Sequence, residues 1–330
     1  MPASPIHTTD LQDEQLRELR ARRLIAQALV PDRALADGQA VAQHMLAVQG
    51  QLYNSGLQAL ACRSLSSQAE TEELVRAGQI VRTWSQRGTH HFLAAEDARW
   101  MMQLCSPRIE AAAAKRRPGL GLTEQMFDAA RSALFEALRE GPVARTEAYA
   151  LFDAAGVDPT QQRGPHILRS LGSLGDIVQG PRRGSEDVFM LTENLPVVAR
   201  ELAGEEALAE LGTRYFHSHG PATVKDLAWW SGLTIRDAKT VAKLARNTVA
   251  VELAGVEYRM GEWQLSVEWE ALEAALALRL ELPAFDEYLL GYGDRSAVCP
   301  ADLVPIVGPT KNGMCRPFVV EQGVVVGAYG

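Results

Sequence analysis

The stretch at residues 78–93, GQIVRTWSQRGTHHFL, sets two runs rich in β-branched and aromatic residues on either side of Gln86, Arg87 and Gly88. That composition predicts a β-hairpin with a basic tip. Two further stretches repeat it. Residues 175–191, GDIVQGPRRGSEDVFML, surround a Gly- and Pro-punctuated tip carrying Arg182 and Arg183, and residues 247–260, NTVAVELAGVEYRM, turn at Ala254 and Gly255. Helical patterns precede each hairpin: 13–29 and 37–48 before the first, 123–138, 145–156 and 161–175 before the second, 207–220, 223–233 and 234–246 before the third. In the last set Thr223 and Thr234 fall at N-cap positions, and Gly220 and Gly232 mark helix ends. Short helices followed by a hairpin describe a winged helix, a variant of the helix-turn-helix. The recurrence predicts a mainly α fold with β wings. Three tandem winged-helix units are expected at 1–117, 118–200 and 201–262, with a small C-terminal α/β lobe at 263–330. In that lobe a helix at 268–279 leads into an acidic, aromatic loop with Asp286, Tyr288, Tyr292, Asp294 and Arg295. Residues 314–330 read as a hairpin turning at Gln322 and Gly323. The sequence stops within a strand pattern, which suggests a further segment.

With 330 residues, the chain has room for two or three domains with cores of their own. Apolar residues at 47% and charged residues at 22% indicate an ordinary soluble protein. No apolar run approaches the roughly 18 residues that span a bilayer, and the N-terminus lacks the basic start and apolar core of a secretory signal. A cytoplasmic location is expected, and no membrane partner. Cys62, Cys105, Cys299 and Cys315 are scattered without a CxxC pair, which favours reduced thiols over a disulfide framework or zinc site. A net charge of −8 argues against a protein that coats nucleic acid non-specifically, but leaves room for a local basic groove. Candidate clusters are Arg17, Arg20, Arg22 and Arg23; Arg82 and Arg87; Lys115, Arg116 and Arg117; and Arg182 and Arg183. His217 and His219 flank a serine with no third ligand at a recognisable spacing. Phosphate loops, a GxSxG nucleophile and a dinucleotide fingerprint are missing from the sequence. Neither metal nor cofactor is expected.

Three blocks carry a family resemblance: RTWSQRGTHHFLAAEDARWM at 82–101, YFHSHGPATVKDLAWWSGL at 215–233 and LPAFDEYLLGYGDR at 282–295. In this order, across about residues 20–328, they resemble the bacterial winged-helix DNA glycosylases typified by AlkZ and YcaQ. The resemblance implies tandem winged helices curved around a DNA-sized channel. It also implies removal of alkylated bases from DNA, including bulky and cross-linking adducts. A short motif divides that family. AlkZ-like members carry Gln on both sides of an aliphatic residue, whereas YcaQ-like members have Gln followed by Asp. Gln49 and Gln51, in HMLAVQGQLYNSG, match the double-Gln form, and Gly50 replaces the aliphatic with a looser backbone. Similar proteins also continue past VVVGAY with a Trp and further strand and helix.

An extended backbone puts residues two apart on one face, so Gln49 and Gln51 are expected to converge. An amide has no pKa suited to a general base near neutral pH, but it positions water through one acceptor oxygen and two N–H donors. A purine alkylated at N7 is already cationic and leaves without protonation, so neutral amides suit it. The expected activity is therefore monofunctional, cofactor-free hydrolysis of the glycosidic bond. Its substrate would be duplex DNA containing alkylated bases, bound by a monomer, with no need to flip a bulky lesion fully into a snug pocket.

Alternation places Thr89 and His91 on one strand face. Similar proteins keep Thr-x-His there, which makes His91 either a substrate or phosphate contact or a tie between wing and helices. Arg82 and Arg87 are candidates for the DNA backbone, and Arg182 and Arg183 for phosphates or the minor groove. Asp286, Tyr288 and Arg295 form a possible substrate-side group, with an Asp286–Arg295 salt bridge as the structural alternative. Trp229 and Trp230 are expected in the core. The rival reading is a non-catalytic winged-helix regulator, and a weaker third is an interaction protein without DNA affinity.

Overall fold

A computed structural model describes residues 13–253 and 255–329, in two compact units. One is formed by the described residues up to Thr71 together with those from Gly204 onward, the other by Glu72–Ala203.

In the second unit the quoted stretch forms the expected hairpin, Ile80–Gln86 with Thr89–Ala94. Arg87 and Gly88 turn it, both with left-handed backbone (φ 52° and 72°), the geometry of a two-residue hairpin turn. The next hairpin is Ile177–Gln179 with Val188–Leu191. It joins the first edge to edge through Arg82 and Gln179. Within this unit the antiparallel order is Thr89–Ala94, Ile80–Gln86, Ile177–Gln179, Val188–Leu191, Val143–Ala144. Strand alternation feeds two cores. Val81 and Val178 pack with Ala98 and Met102 of helix Ala95–Cys105. Trp84, Ile177 and Phe189 pack with Phe127, Leu134, Phe152 and Leu171 from helices Glu124–Glu140, Arg145–Ala154 and Arg163–Leu174. A Cβ on Gly172 would lie 2.3 Å from the Trp84 ring, so only glycine lets that helix cross the strand so closely.

The first unit gathers distant sequence. Helix Asp13–Ala26, expected in an N-terminal winged helix, packs instead with Trp269–Leu276 and contributes Leu19, Leu24 and Ile25 to the core of the C-terminal lobe. Amphipathic helices need a covered face, and this one finds it some 250 residues away in sequence. That core is closed by the sheet Val324–Ala328, Phe318–Glu321, Arg279–Leu282. The turn at Gln322 and Gly323 is as expected, with φ 52° and 68°. The strand Arg279–Leu282 was not expected, because the predicted helix ends early, at Leu276.

Helices Gly204–His219, Val224–Ser231 and Ile235–Leu244 precede the hairpin Thr248–Leu253/Val256–Gly261. The expected caps form: Thr223 and Thr234 accept from the N–H groups of Asp226 and Asp237, and Gly232 ends its helix at φ 75°. Ala254, half of the predicted turn, lies outside the described residues. Among the described residues, no helix is long and apolar enough to cross a membrane.

Candidate functional site

The double-glutamine segment follows helix Gly38–Met45, which Asp37 caps. Its end at Leu46 takes φ 65°, a strained conformation for a leucine. The chain reverses there and delivers Val48–Gln49 as a short extended pair; Gln51 and Leu52 then bend into helix Tyr53–Ala61. The short strand ends at Gln49, and the two amides differ in exposure. Gln49 is buried and Gln51 is exposed.

Beneath the turn lies a carboxylate that sequence reasoning passed over. The Gln49 backbone N–H donates to Glu287 at 2.8 Å, and Trp230 Nε1 donates to the other Glu287 oxygen at 3.1 Å. Glu287 is fully buried, where an unpartnered carboxylate would be costly. His219 Nε2 lies 3.7 Å from the same carboxylate, and its ring stacks on Tyr215 at 4.8 Å. Burial pushes the His219 pKa below its ordinary value despite that carboxylate, which favours the neutral ring.

Asp286, next in sequence, is also completely buried. It accepts two 2.8 Å bonds from Arg63 and caps the short helix Glu287–Leu290 through the Tyr288 N–H. The alternative of a salt bridge to Arg295 is thus corrected: the partner is Arg63. Arg295 donates to the Leu289 carbonyl at 2.8 Å and covers the Trp229 ring at 4.5 Å. Tyr288, with no exposed surface, donates to the Gly323 carbonyl at 2.7 Å. Asp286 and Tyr288 therefore line the interior rather than a substrate-facing surface.

A hydrogen-bonded relay continues from Arg63 to Gln27 (2.9 Å), from Gln27 to the Tyr292 hydroxyl (3.0 Å) and on to the His219 carbonyl (2.7 Å). Trp230 is core, as expected, whereas Trp229 is half-buried. Arg63 and Gln27 stand in no local motif; only the clustering of acids and aromatics in FDEYLLGY hinted at a buried partner.

The second unit holds the remaining candidates. Arg82 is not a surface arginine. It is buried on the core side of its strand, bonded to Gln179 and, at 3.0 Å, to Asp187. Arg145 and Arg182 reach the same carboxylate, Arg182 at 3.1 Å. Burial would raise the Asp187 pKa, but the three arginines outweigh it and hold the carboxyl below its usual range. Burial brings the Arg82 pKa down to about 10. His90, 3.0 Å from Gln179, falls well below its ordinary value through burial and the same cations. His91 is fully buried, with Nδ1 3.1 Å from the Thr89 carbonyl and Nε2 3.4 Å from Arg87; Thr89 and Arg87 are half-buried. Arg183 is exposed and pairs with Glu147 at 2.6 Å.

Of the other basic clusters, Arg17 pairs with Glu273 and Arg22 with Glu18, Arg20 binds the Ala297 carbonyl, Arg23 is buried over Tyr292, and Arg117 joins Glu110 and Glu124. His217 binds the Asn247 carbonyl at 2.9 Å. Among the described residues no three His, Cys, Asp or Glu side chains are grouped to hold a metal ion.

This fold matches that of the Streptomyces sahachiroi DNA glycosylase AlkZ, with a TM-score of 0.75 and 22% identity over 95% of this chain and 87% of that one. A curated relative from the same organism, "Interstrand DNA cross-link repair glycosylase", is 24% identical over 325 residues, 95% of this chain and 87% of its own length. The class is thus that of a DNA glycosylase, an enzyme. The family profile "DNA glycosylase AlkZ-like" matches residues 42–329, and the chain belongs to that family.

Proposed function

We propose that the protein is a monofunctional glycosylase that hydrolyses the N-glycosidic bond of cationic N7-alkylpurines in duplex DNA, with Gln49 and Gln51 orienting the attacking water. The observation that carries this reading is the anchoring of the turn. A buried Glu287, itself held by Trp230, fixes the Gln49 backbone, while Gln51 beside it stays exposed. A fixed backbone holds a polar group in place before the substrate arrives, which is where enzymes gain most from uncharged donors and acceptors. Amides give little proton transfer, so the chemistry suits a base that departs as a neutral leaving group.

Likeness to a relative named as an interstrand cross-link repair glycosylase extends the proposed substrate class to cross-linked adducts, and an exposed Gln51 is compatible with a lesion too large for a closed pocket. In this reading the hairpins act as wings of three winged-helix units, and Arg87, Arg182 and Arg183 contact the DNA backbone. The protein works as a cytoplasmic monomer without a cofactor.

The test is a duplex with one N7-methylguanine, incubated with protein and then treated with alkali. Strand breaks at the lesion are expected, and Gln49→Ala with Gln51→Ala should slow them by about 100-fold or more. Wild-type rates in the double variant would end the assignment. A gel shift without breaks would leave a regulator.

A further inference from the structure

Helices Val224–Ser231 and Ile235–Leu244 are joined by three residues with left-handed Gly232 at the turn, the connection of a helix-turn-helix. In such a pair the second helix is the one that meets DNA. Here it buries Ala238, Val241 and Ala242. At about 100° per residue, Arg236, Lys239 and Lys243 fall within roughly 60° of arc on the opposite side, with Thr240 about 40° beyond Arg236. All are exposed, and Arg246 follows just beyond the helix end. The nearest acid in sequence, Asp237, is turned to the cap, accepting from the Thr234 hydroxyl at 2.7 Å.

The hairpin that follows has the opposite character. Val251, Leu253 and Val256 pack against the core that includes helix Asp13–Ala26. A cavity of about 200 Å³ remains between them, lined by Leu19, Pro221 and Met260 among others. The face left outward carries Glu252 directly opposite Glu257. Like charges across a strand pair are destabilising and would repel phosphate. A wing folded back on its apolar side and acidic on the other makes a poor partner for DNA.

We propose that the helix Ile235–Leu244 is a second duplex-binding surface, on which Arg236, Lys239 and Lys243 contact backbone phosphates while the adjoining acidic hairpin stays clear of the DNA. The occupant follows from charge complementarity and from the family's DNA substrate, so the inference rests on the proposed function and adds to it. The contacts are to phosphate and carry no sequence preference of their own.

Binding of an undamaged fluorescent duplex, followed by anisotropy from 50 to 300 mM salt, tests it. For Arg236→Gln/Lys239→Gln/Lys243→Gln the slope of log affinity against log salt should flatten by about 2 to 3, and low-salt affinity should fall about tenfold or more. Its thermal midpoint should match wild type. Should the triple variant misfold, Lys239→Gln alone should flatten the slope by about 0.9. Glu252→Gln/Glu257→Gln should change affinity by less than about twofold. An unchanged slope in the lysine and arginine variants, a wild-type protein that does not bind the duplex, or a tenfold gain in the glutamine pair would each overturn the proposal. Base release is scored separately: loss of slope in a protein that excises nothing keeps the surface and removes the glycosylase.

Discussion

Asp286 and Asp187 are both buried carboxylates gripped by arginine, one in each unit, yet their charge balance differs. Asp286 meets one guanidinium, Arg63, in a bidentate pair with no exposed surface on either side. Asp187 meets three, from Arg82, Arg145 and Arg182, of which Arg145 and Arg182 remain about a third exposed. The first arrangement is electrically closed and braces the loop that holds the Gln49 backbone. The second leaves positive charge in excess at the edge of a hairpin, where a phosphate would offset it. In the proposed reading, arginine-held carboxylates would thus serve positioning in one unit and attraction of DNA in the other.

The largest effect that would break this contrast is expected at Arg63. Arg63→Ala leaves Asp286 buried without its counter-charge and should cost about 3–5 kcal/mol in urea unfolding, whereas Arg63→Met with Asp286→Leu should recover much of it. A small loss in the single variant would show that Asp286 is not held by charge. Next comes Asp187→Asn. Replacing the shared carboxylate by an amide should destabilise the protein by about 2–3 kcal/mol, since three guanidiniums lose their counter-charge and one acceptor oxygen becomes a donor. It should also tighten duplex binding at low salt. If binding weakens instead, the excess charge does not face DNA.

Histidines in both units sharpen the comparison through pH. Burial lowers His44 and His166 to about 4 and brings down His219 and His90 as well. A histidine held neutral in the fold adds stability that is complete above its unfolded pKa, near 6.5, and is lost as pH falls toward the folded value. The melting midpoint should be flat from pH 7 to 8 and decline between about 6.5 and 4. A midpoint that rises on acidification would contradict this. The smallest effect belongs to Arg183→Ala. Its exposed pair with Glu147 should contribute under about 0.5 kcal/mol, while the salt slope of duplex binding should flatten by about 0.9. A large stability loss there would mean the hairpin tip is structural.

Much was legible in local pattern. The hairpins at 80–94, 177–191, 248–261 and 318–328 follow from strand–turn–strand composition, and Thr223, Thr234 and Gly232 announced their helix ends. The strand Arg279–Leu282 was not legible, since four residues adjoining a helix pattern lack a period of their own. Arg82 illustrates the limit for single side chains. An arginine near a hairpin tip reads as a surface charge until Gln179 and Asp187, about a hundred residues on, are seen to enclose it.

Sequence by itself determined the family, through three blocks in order and the spacing of Gln49 and Gln51, because motifs and turns are written in neighbouring residues. Tertiary structure alone decided that helix Asp13–Ala26 belongs with the C-terminal lobe, that two hairpins share one sheet, and that Glu287 holds the turn from below. The physical reason is that apolar faces and buried charges are satisfied by whichever partner the fold brings near, and nothing in local spacing records that choice.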